Sequence, residues 1–283
     1  MKMRHALFAL VAVLPFAGSA LGAGGSGATT PSQPGSNIQI AMTLYAGGLP
    51  LGKVDLNTTI RGDQYHSVSN LQTSGVVNAF WQSEIQATSN GAVSPKNLHP
   101  ALYDSFYTGR SDKKQEVSLT YENGEIRLYA NPPYATTGYE VTPDQKRDTF
   151  DPLSAMTFMV SGLGASADNP CGVTIPVFDG RRRYNIEVSK KQETNVSMDN
   201  GLYKGKALLC EIKYRQLAGF KPKVIKEGQN FPVINAWVAT FPSAITGRPY
   251  VVPLRLWADT PYGRIAGVAT NLKIDGQPVK PQG

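Results

Sequence analysis

Residues 207–217 read ALLCEIKYRQL, and apolar and polar side chains alternate along them. One side carries Leu208, Cys210, Ile212 and Tyr214, and the other carries Leu209, Glu211, Lys213 and Arg215. Because successive side chains of a β-strand point to opposite faces, this pattern predicts a strand with one buried and one solvated face. Cys210 falls on the buried face.

The same alternation recurs along most of the chain. It appears in Arg182–Ser189, Ile38–Ala46, Gly52–Ile60, Gln64–Asn70, Trp81–Ser89, Leu98–Thr108, Gln115–Glu122, Glu125–Ala130, Asn235–Phe241, Tyr250–Ala258 and Gly263–Ile274. Between these runs lie the turn signals Gly47-Gly48, Gly62-Asp63, Asn90-Gly91, Asn123-Gly124, Asp179-Gly180 and Asn200-Gly201. Asn-Gly and Asp-Gly between alternating runs are strong hairpin signals, so the pattern predicts an antiparallel meander.

A single helix interrupts the strands. Asp151 is suited to cap it and Pro152 to occupy its first position, while Leu153, Met156, Val160 and Leu163 share one face. Gly162 or Gly164 would end it. The predicted fold is therefore all-β: a single long antiparallel meander curved into a half-barrel or β-spiral, with one amphipathic helix packed on it.

The two ends of the chain have different compositions from the middle. Residues 1–22 combine basic Lys2 and Arg4 with a short apolar run and small residues, which predicts a cleavable signal peptide and export to the periplasm of a Gram-negative bacterium. Residues 23–37 are predicted to be a disordered leader, 38–276 one β-rich domain, and 277–283 a flexible tail. The mature chain contains no apolar run long enough for a transmembrane helix.

The net charge of the chain is modest. It is +7, and removal of Lys2 and Arg4 with the signal peptide lowers it by two. The basic residues are spread out, apart from Arg181–Arg183 and the group Lys221, Lys223 and Lys226. This distribution favours a weak attraction to anionic lipid and disfavours nucleic acid, which requires a denser basic face.

Two cysteines, Cys171 and Cys210, are present. In an oxidising compartment an isolated pair usually forms a disulfide, here closing a loop of about 40 residues. A metal pair and a redox couple are the alternatives. The sequence disfavours both, because it has no CxxC spacing and no histidine close to either thiol.

Catalytic signatures are missing from the sequence. Outside the predicted signal peptide the histidines are His66 and His99, without spaced partners, and no known nucleophile, metalloprotease or nucleotide-binding motif occurs. The sequence thus predicts a protein that is not an enzyme and that has no cofactor and no metal. Paired-carboxylate hydrolysis of an envelope polymer is the alternative from another class, although no feature selects a pair.

Aromatic residues on the strands suggest a ligand groove. On an apolar concave face incompletely covered by the helix, Trp81, Tyr103, Phe106, Trp237 and Trp257 would contact an acyl chain. Ordinary strand core is the alternative, since aromatic side chains are common there. Arg181, Arg182 and Arg183 would contact an anionic headgroup, with a solvated hairpin edge as their alternative.

Several short motifs, in order, resemble one family. They are Tyr45–Gly52 with its aromatic residue and glycines, the DPLSA run of Asp151–Ala155, Asp179–Arg181 before a strand, Gly205–Cys210, and the closing pair around Pro253–Arg255 and Gly263–Ile265. Together they resemble the DUF3108 family of exported bacterial proteins of unknown function. That resemblance implies a β-rich envelope protein, similar in architecture to periplasmic β-spirals and to half-barrel lipid carriers.

These observations lead to one functional hypothesis with a close alternative. The chain is predicted to be a non-catalytic, monomeric periplasmic protein that supports envelope integrity by binding an envelope lipid or a periplasmic or outer-membrane protein. The alternative among binding proteins is a periplasmic carrier of an amphiphile.

Overall fold

The alternating runs form long antiparallel strands in the structure, a computed structural model that describes residues 35–74, 82–110, 113–164, 169–228, 231–261 and 263–279. The first arm of the sheet consists of β1 (Gly35–Ala46), β2 (Leu49–Arg61), β3 (Gln64–Thr73), β4 (Ser83–Val93), β5 (Leu98–Gly109), β6 (Lys114–Glu122) and β7 (Glu125–Asn131). The second arm consists of β8 (Val173–Phe178), β9 (Arg183–Ser197), β10 (Lys204–Ala218), β11 (Ile234–Pro242), β12 (Pro249–Thr260) and β13 (Gly263–Ile274), followed by the short β14 (Gln277–Pro278). The helices are α1 (Pro143–Lys146), α2 (Pro152–Val160) and α3 (Pro222–Gly228).

The fourteen strands within the described residues belong to one antiparallel sheet. Its order is β7-β6-β5-β4-β3-β2-β1-β13-β12-β11-β10-β9-β8, with β14 added beside β13. The first strand pairs with the last long strand, so that Ile38 lies opposite Ile274 at the middle of the sheet. The edges β7 and β8 are neighbours in the chain but are not paired with each other. The sheet is therefore an incompletely closed barrel, as the predicted half-barrel meander required.

Helix α2 lies in the segment that joins the two edges. The Asp151 carboxylate caps it, because Oδ1 accepts a hydrogen bond from the Ser154 amide at 2.7 Å, and Gly162 follows it with a φ of +65°. The helix contacts β3, β4 and β5 of the first arm and also β8 and β12 of the second. Strands this far apart in the sheet order can touch one helix only if the sheet curves around it.

Because both arms of the sheet contact α2, the helix buries polar as well as apolar side chains. An amphipathic helix on an open sheet leaves its polar face in water. Here the polar side chains of Ser154 and Thr157 are buried together with the apolar Leu153 and Phe158, because both arms of the sheet surround the helix.

Strands occupy both ends of the described part of the chain, where the composition predicted disorder or flexibility. Strand β1 begins at Gly35, inside the segment 23–37 predicted as a disordered leader. This first residue is paired with Arg61 of β2. Strand β14 occupies Gln277–Pro278, within the predicted flexible tail 277–283. The predicted signal peptide, 1–22, lies outside the described residues.

The Asn90-Gly91 turn prediction is wrong. Both residues lie inside β4, at a shift in the register with β5, and the turn is formed instead by the segment between Ser94 and Asn97. A Cβ atom on Gly91 would lie 2.2 Å from the carbonyl oxygen of His99. The glycine therefore permits a close approach of two strands at an irregularity, not a reversal of the chain.

Candidate ligand-binding cavity

A cavity of about 280 Å³ lies between α2 and the concave side of the sheet. Its walls come from α2, from β1 and β2, and from the second arm of the sheet. Its lining residues are all apolar or sulfur-containing: Ile40, Met42, Val54, Leu56, Met156, Met159, Val160, Pro170, Cys171, Val173, Val188, Ile212, Ala236, Val238, Val251, Pro253 and Leu256. The cavity thus offers a ligand dispersion contacts and apolar burial, without a charge or hydrogen-bonding side chain.

The disulfide forms part of this wall. Cys171 and Cys210 are bonded, with their Cα atoms 6.0 Å apart, which confirms the predicted pair. Both cysteines pack with Ala236 and Val238 in one buried cluster. The bond ties the segment before the edge strand β8 to β10, and it thereby fixes the cavity wall across the intervening strand β9.

The polar side of α2 is held by a buried group of hydroxyls around Asp151. Its Oδ2 accepts a hydrogen bond from Ser89 Oγ at 3.2 Å and another from Ser154 Oγ. Tyr65 hydrogen-bonds Ser154 Oγ at 2.7 Å and Ser89 Oγ at 3.3 Å. These contacts join the helix start to β3 and β4.

One turn further along the helix, a second set of hydroxyls continues the network. Thr157 Oγ1 lies 2.6 Å from Ser67 Oγ on β3 and donates to the carbonyl oxygen of Leu153 at 2.9 Å. Ser67 Oγ in turn lies 2.9 Å from Thr58 Oγ1 on β2. The network fixes which way the helix faces, so that Met156, Met159 and Val160 point into the cavity.

The Asp151 carboxyl is electrostatically unusual. Burial raises its pKa to about 6, while hydrogen bonds from Ser154 and Ser89 act in the opposite direction. Burial and the nearby Asp151 charge also raise the pKa of the Tyr65 hydroxyl. Asp151 is wholly inaccessible to solvent, and its hydrogen bonds with Ser154 and Ser89 orient the helix.

The aromatic residues predicted for a groove do not come together. Tyr103 is buried in the main core, whereas Phe106 points the other way and is half exposed. Trp237 and Trp257 do meet, with ring centroids 5.3 Å apart, and Arg255 lies over both rings. Trp81 lies outside the described residues.

The predicted groove is therefore corrected, because Tyr103, Phe106, Trp237 and Trp257 are all absent from the cavity lining. The physical reason is strand parity. Ala236 and Val238 face the cavity, so the side chain of Trp237 between them is directed to the opposite face of β11.

The three arginines predicted for a headgroup do not converge either. Arg181 lies over the Tyr134 ring and Arg182 over the Phe220 ring. Arg183 donates from Nη1 to the Tyr184 carbonyl oxygen at 2.6 Å and to Asn185 Oδ1 at 2.7 Å. The three guanidinium groups thus contact different neighbours and do not converge on one point, which corrects the prediction of a common headgroup site.

The cavity residues themselves were missed at the level of sequence. Alternation places Ala236, Val238, Ile212 and Val188 on inward faces, and helical spacing places Met156 with them. A one-dimensional pattern does not distinguish an inward side chain that packs against a partner from one that borders an empty volume.

An antiparallel sheet that curves around a helix without closing, with an apolar cavity between the two, defines a β-barrel-like protein. In agreement, the crystal structure of a β-barrel-like protein of the domain of unknown function DUF1849 from Brucella abortus is similar, with a TM-score of 0.52 and 13% identity over 86% of this chain and 98% of that chain. At this identity the likeness concerns the fold alone.

The sequence match is more specific. The profile of the family described as protein of unknown function (DUF3108) matches residues 39–270, and the chain belongs to this family. Comparison with curated proteins found no match. In the part of the chain that the structure describes, no helix has the length and apolar character required to cross a membrane.

Proposed function

We propose that the protein is a non-enzymatic periplasmic binding protein that holds the aliphatic chain of an envelope amphiphile in the cavity beneath α2. The observation that carries the proposal is the composition of the cavity lining, which is apolar throughout. An apolar cavity of about 150 Å³ lined by leucine, isoleucine and phenylalanine side chains stays dry and binds benzene, so a larger apolar cavity is suited to a longer apolar group.

The volume sets the length of chain that fits. A methylene group occupies roughly the volume of a liquid water molecule, about 30 Å³. The cavity of about 280 Å³ therefore accommodates roughly nine methylene groups. A polar headgroup finds no partner in the lining and would remain at the mouth, in contact with water.

Two features of α2 support exchange of a ligand. Met156 and Met159 line the cavity while remaining partly exposed, and methionine side chains adapt readily to the shape of an apolar partner. The buried hydroxyl network keeps the backbone of the helix in place while these side chains move.

The proposal includes location in the envelope and support of envelope integrity. A disulfide is typical of oxidising compartments, and the predicted signal peptide directs the chain to one. An envelope amphiphile, such as a fatty acid or a phospholipid acyl chain, is the class of ligand that this location offers.

The test is a fatty-acid series. Delipidated protein is titrated with cis-parinaric acid, and saturated fatty acids of increasing length displace this fluorescent probe. Affinity should rise about fourfold per methylene, as burial of about 0.8 kcal/mol per methylene requires, until the chain fills the cavity at roughly ten carbons. Mass spectrometry of an organic extract of the freshly purified protein should detect a lipid.

A cavity-filling variant provides the control. Ala236→Phe places a ring in the cavity and should weaken fatty-acid binding at least about tenfold. Ala101→Phe makes the same change at an exposed position of β5 and should leave binding unchanged. Equal affinity of both variants, or no dependence on chain length, would refute binding in this cavity.

A further inference from the structure

A second surface of the molecule combines exposed apolar side chains with positive charge. It lies where β10 ends, beside α3, and we call it the α3 face. Its apolar members are Ile225, Phe231 and Val233, and its basic members are Lys213, Arg215, Lys221, Lys223 and Lys226. We propose that the α3 face docks the protein onto a bilayer that contains anionic phospholipid.

The apolar side chains of the α3 face are close together and open to water. Ile225, Phe231 and Val233 line one surface groove of about 560 Å³, and Tyr214 lines it as well. The Phe231 ring centroid lies 5.6 Å from that of Tyr214, yet 55% of Phe231 is exposed. Adjacent large apolar residues in water mark a surface that is covered in a complex.

The charge around this groove is strongly one-sided. Residues 212–226 contain five basic residues and no aspartate or glutamate. Glu187 pairs with Arg215 at 3.3 Å, and Glu227 follows in the sequence, so an excess of positive charge remains. Each basic residue near an anionic leaflet contributes favourably to binding.

The arrangement fits a membrane surface better than an acidic protein groove. In α3 the apolar pair Val224 and Ile225 is flanked by Lys223 and Lys226, and all four are exposed on one short helix. Apolar side chains that enter the headgroup region while lysines contact lipid phosphates are typical of interfacial helices. The α3 face presents both types of side chain together, because Ile225 of α3 and Phe231 line one groove beside the exposed lysines.

The position of the α3 face also matches the cavity. Ile212 lines the cavity and Tyr214, two residues later on β10, lines the groove of the α3 face. Two residues of a strand span about 7 Å. The inference thus deepens the proposed function, because docking would bring the cavity to the bilayer from which an acyl chain is exchanged.

Vesicle cosedimentation tests the inference with the full mature chain. One set of vesicles contains phosphatidylcholine alone, and the other contains one quarter phosphatidylglycerol. We expect sedimentation with the anionic vesicles, loss of it at about 1 M salt, where charges are screened within about 3 Å, and little sedimentation with phosphatidylcholine. No binding to the anionic vesicles, or equal binding to both, overturns the inference.

Matched variants locate the contact. Lys221→Glu combined with Lys226→Glu should lower the partition coefficient at least about tenfold, whereas Lys113→Glu combined with Lys114→Glu, on the exposed start of β6, should not. Phe231→Ser should weaken binding, and Phe106→Ser, at a similarly exposed position, should not. Equal losses in test and control variants overturn the assignment to the α3 face.

Fatty-acid binding in the cavity and vesicle binding by the α3 face can be tested independently of each other. Fatty-acid binding should persist in the α3-face variants, and vesicle binding should persist in Ala236→Phe. Loss of vesicle binding with intact fatty-acid binding would overturn the docking surface alone, and the reverse would overturn the cavity alone. Unchanged melting temperatures establish that the variants are folded.

Discussion

The buried Asp151 carboxyl predicts an unusual dependence of stability on pH. Its pKa is raised by burial to about 6 from an ordinary value of 3.8, so the folded chain holds a proton on it over a range in which the unfolded chain has released that proton. Its contribution to folding stability is therefore fully present below about pH 4 and is lost as the pH rises through about 6. Most carboxylates, whose pKa falls on folding, act in the opposite sense.

The difference between 3.8 and about 6 corresponds to about 3 kcal/mol of unfolding free energy. Asp151→Asn replaces the titrating group by a neutral side chain of similar shape that also caps helices well. The stability of the natural protein minus that of the variant should therefore fall by up to about 3 kcal/mol between about pH 4 and pH 7. For a chain of this size that is roughly 6–12 °C in melting temperature.

Urea denaturation followed by tyrosine and tryptophan fluorescence, repeated across this pH range, measures the difference. Asp144→Asn makes the same change at an exposed carboxylate of α1 and is the matched control for loss of a carboxylate from a helix. A constant difference between the natural protein and Asp151→Asn at all pH values would refute the reasoning. So would a natural protein that gains stability relative to the variant as the pH rises.

The other predictions concern the fold. Cys210→Ser should cost about 3–4 kcal/mol and lower the melting temperature under oxidising conditions, and a reductant should remove most of the difference from the natural protein. Leu153→Asp, at a fully buried helix position, should abolish cooperative unfolding measured by calorimetry, while Pro152→Gly should reduce stability by only about 1 kcal/mol. Gly91→Ala should cost more than about 2 kcal/mol in urea denaturation, because the added methyl group meets the His99 carbonyl oxygen; an unchanged midpoint would contradict the close approach.

Local features of the fold could be predicted because their signals lie within a few residues. The alternation along Ala207–Leu217 corresponds to most of β10, and the Asp151-Pro152 pair corresponds to the start of α2. A strand that is buried on one face has an apolar residue at every second position, and a helix cap requires specific side chains at fixed positions. The disulfide followed from the presence of two cysteines in a chain predicted to be exported.

Features that depend on distant contacts could not be predicted in the same way. Strand β8 was missed because Val177 and Phe178 are both buried, which removes alternation, and because Pro176 argues against a strand. The volume beneath α2 depends on the distance between the helix and β1, β11 and β12. That distance is set by the hydroxyl network, whose members Tyr65, Ser89 and Asp151 are far apart in sequence.

The pairing of β1 with β13 has a consequence for folding. Each arm of the sheet is a succession of neighbouring hairpins, and such local contacts form rapidly. The seam at Ile38 and Ile274 joins segments more than two hundred residues apart, so loop-closure entropy delays it until the whole chain is available. During synthesis, which proceeds from the N-terminal end, the first arm is complete before the second exists, and β1 presents an unpaired edge in the interim. We expect a chaperone that covers exposed strand edges to bind this intermediate, and truncation before β13 to leave a chain prone to aggregate through β1.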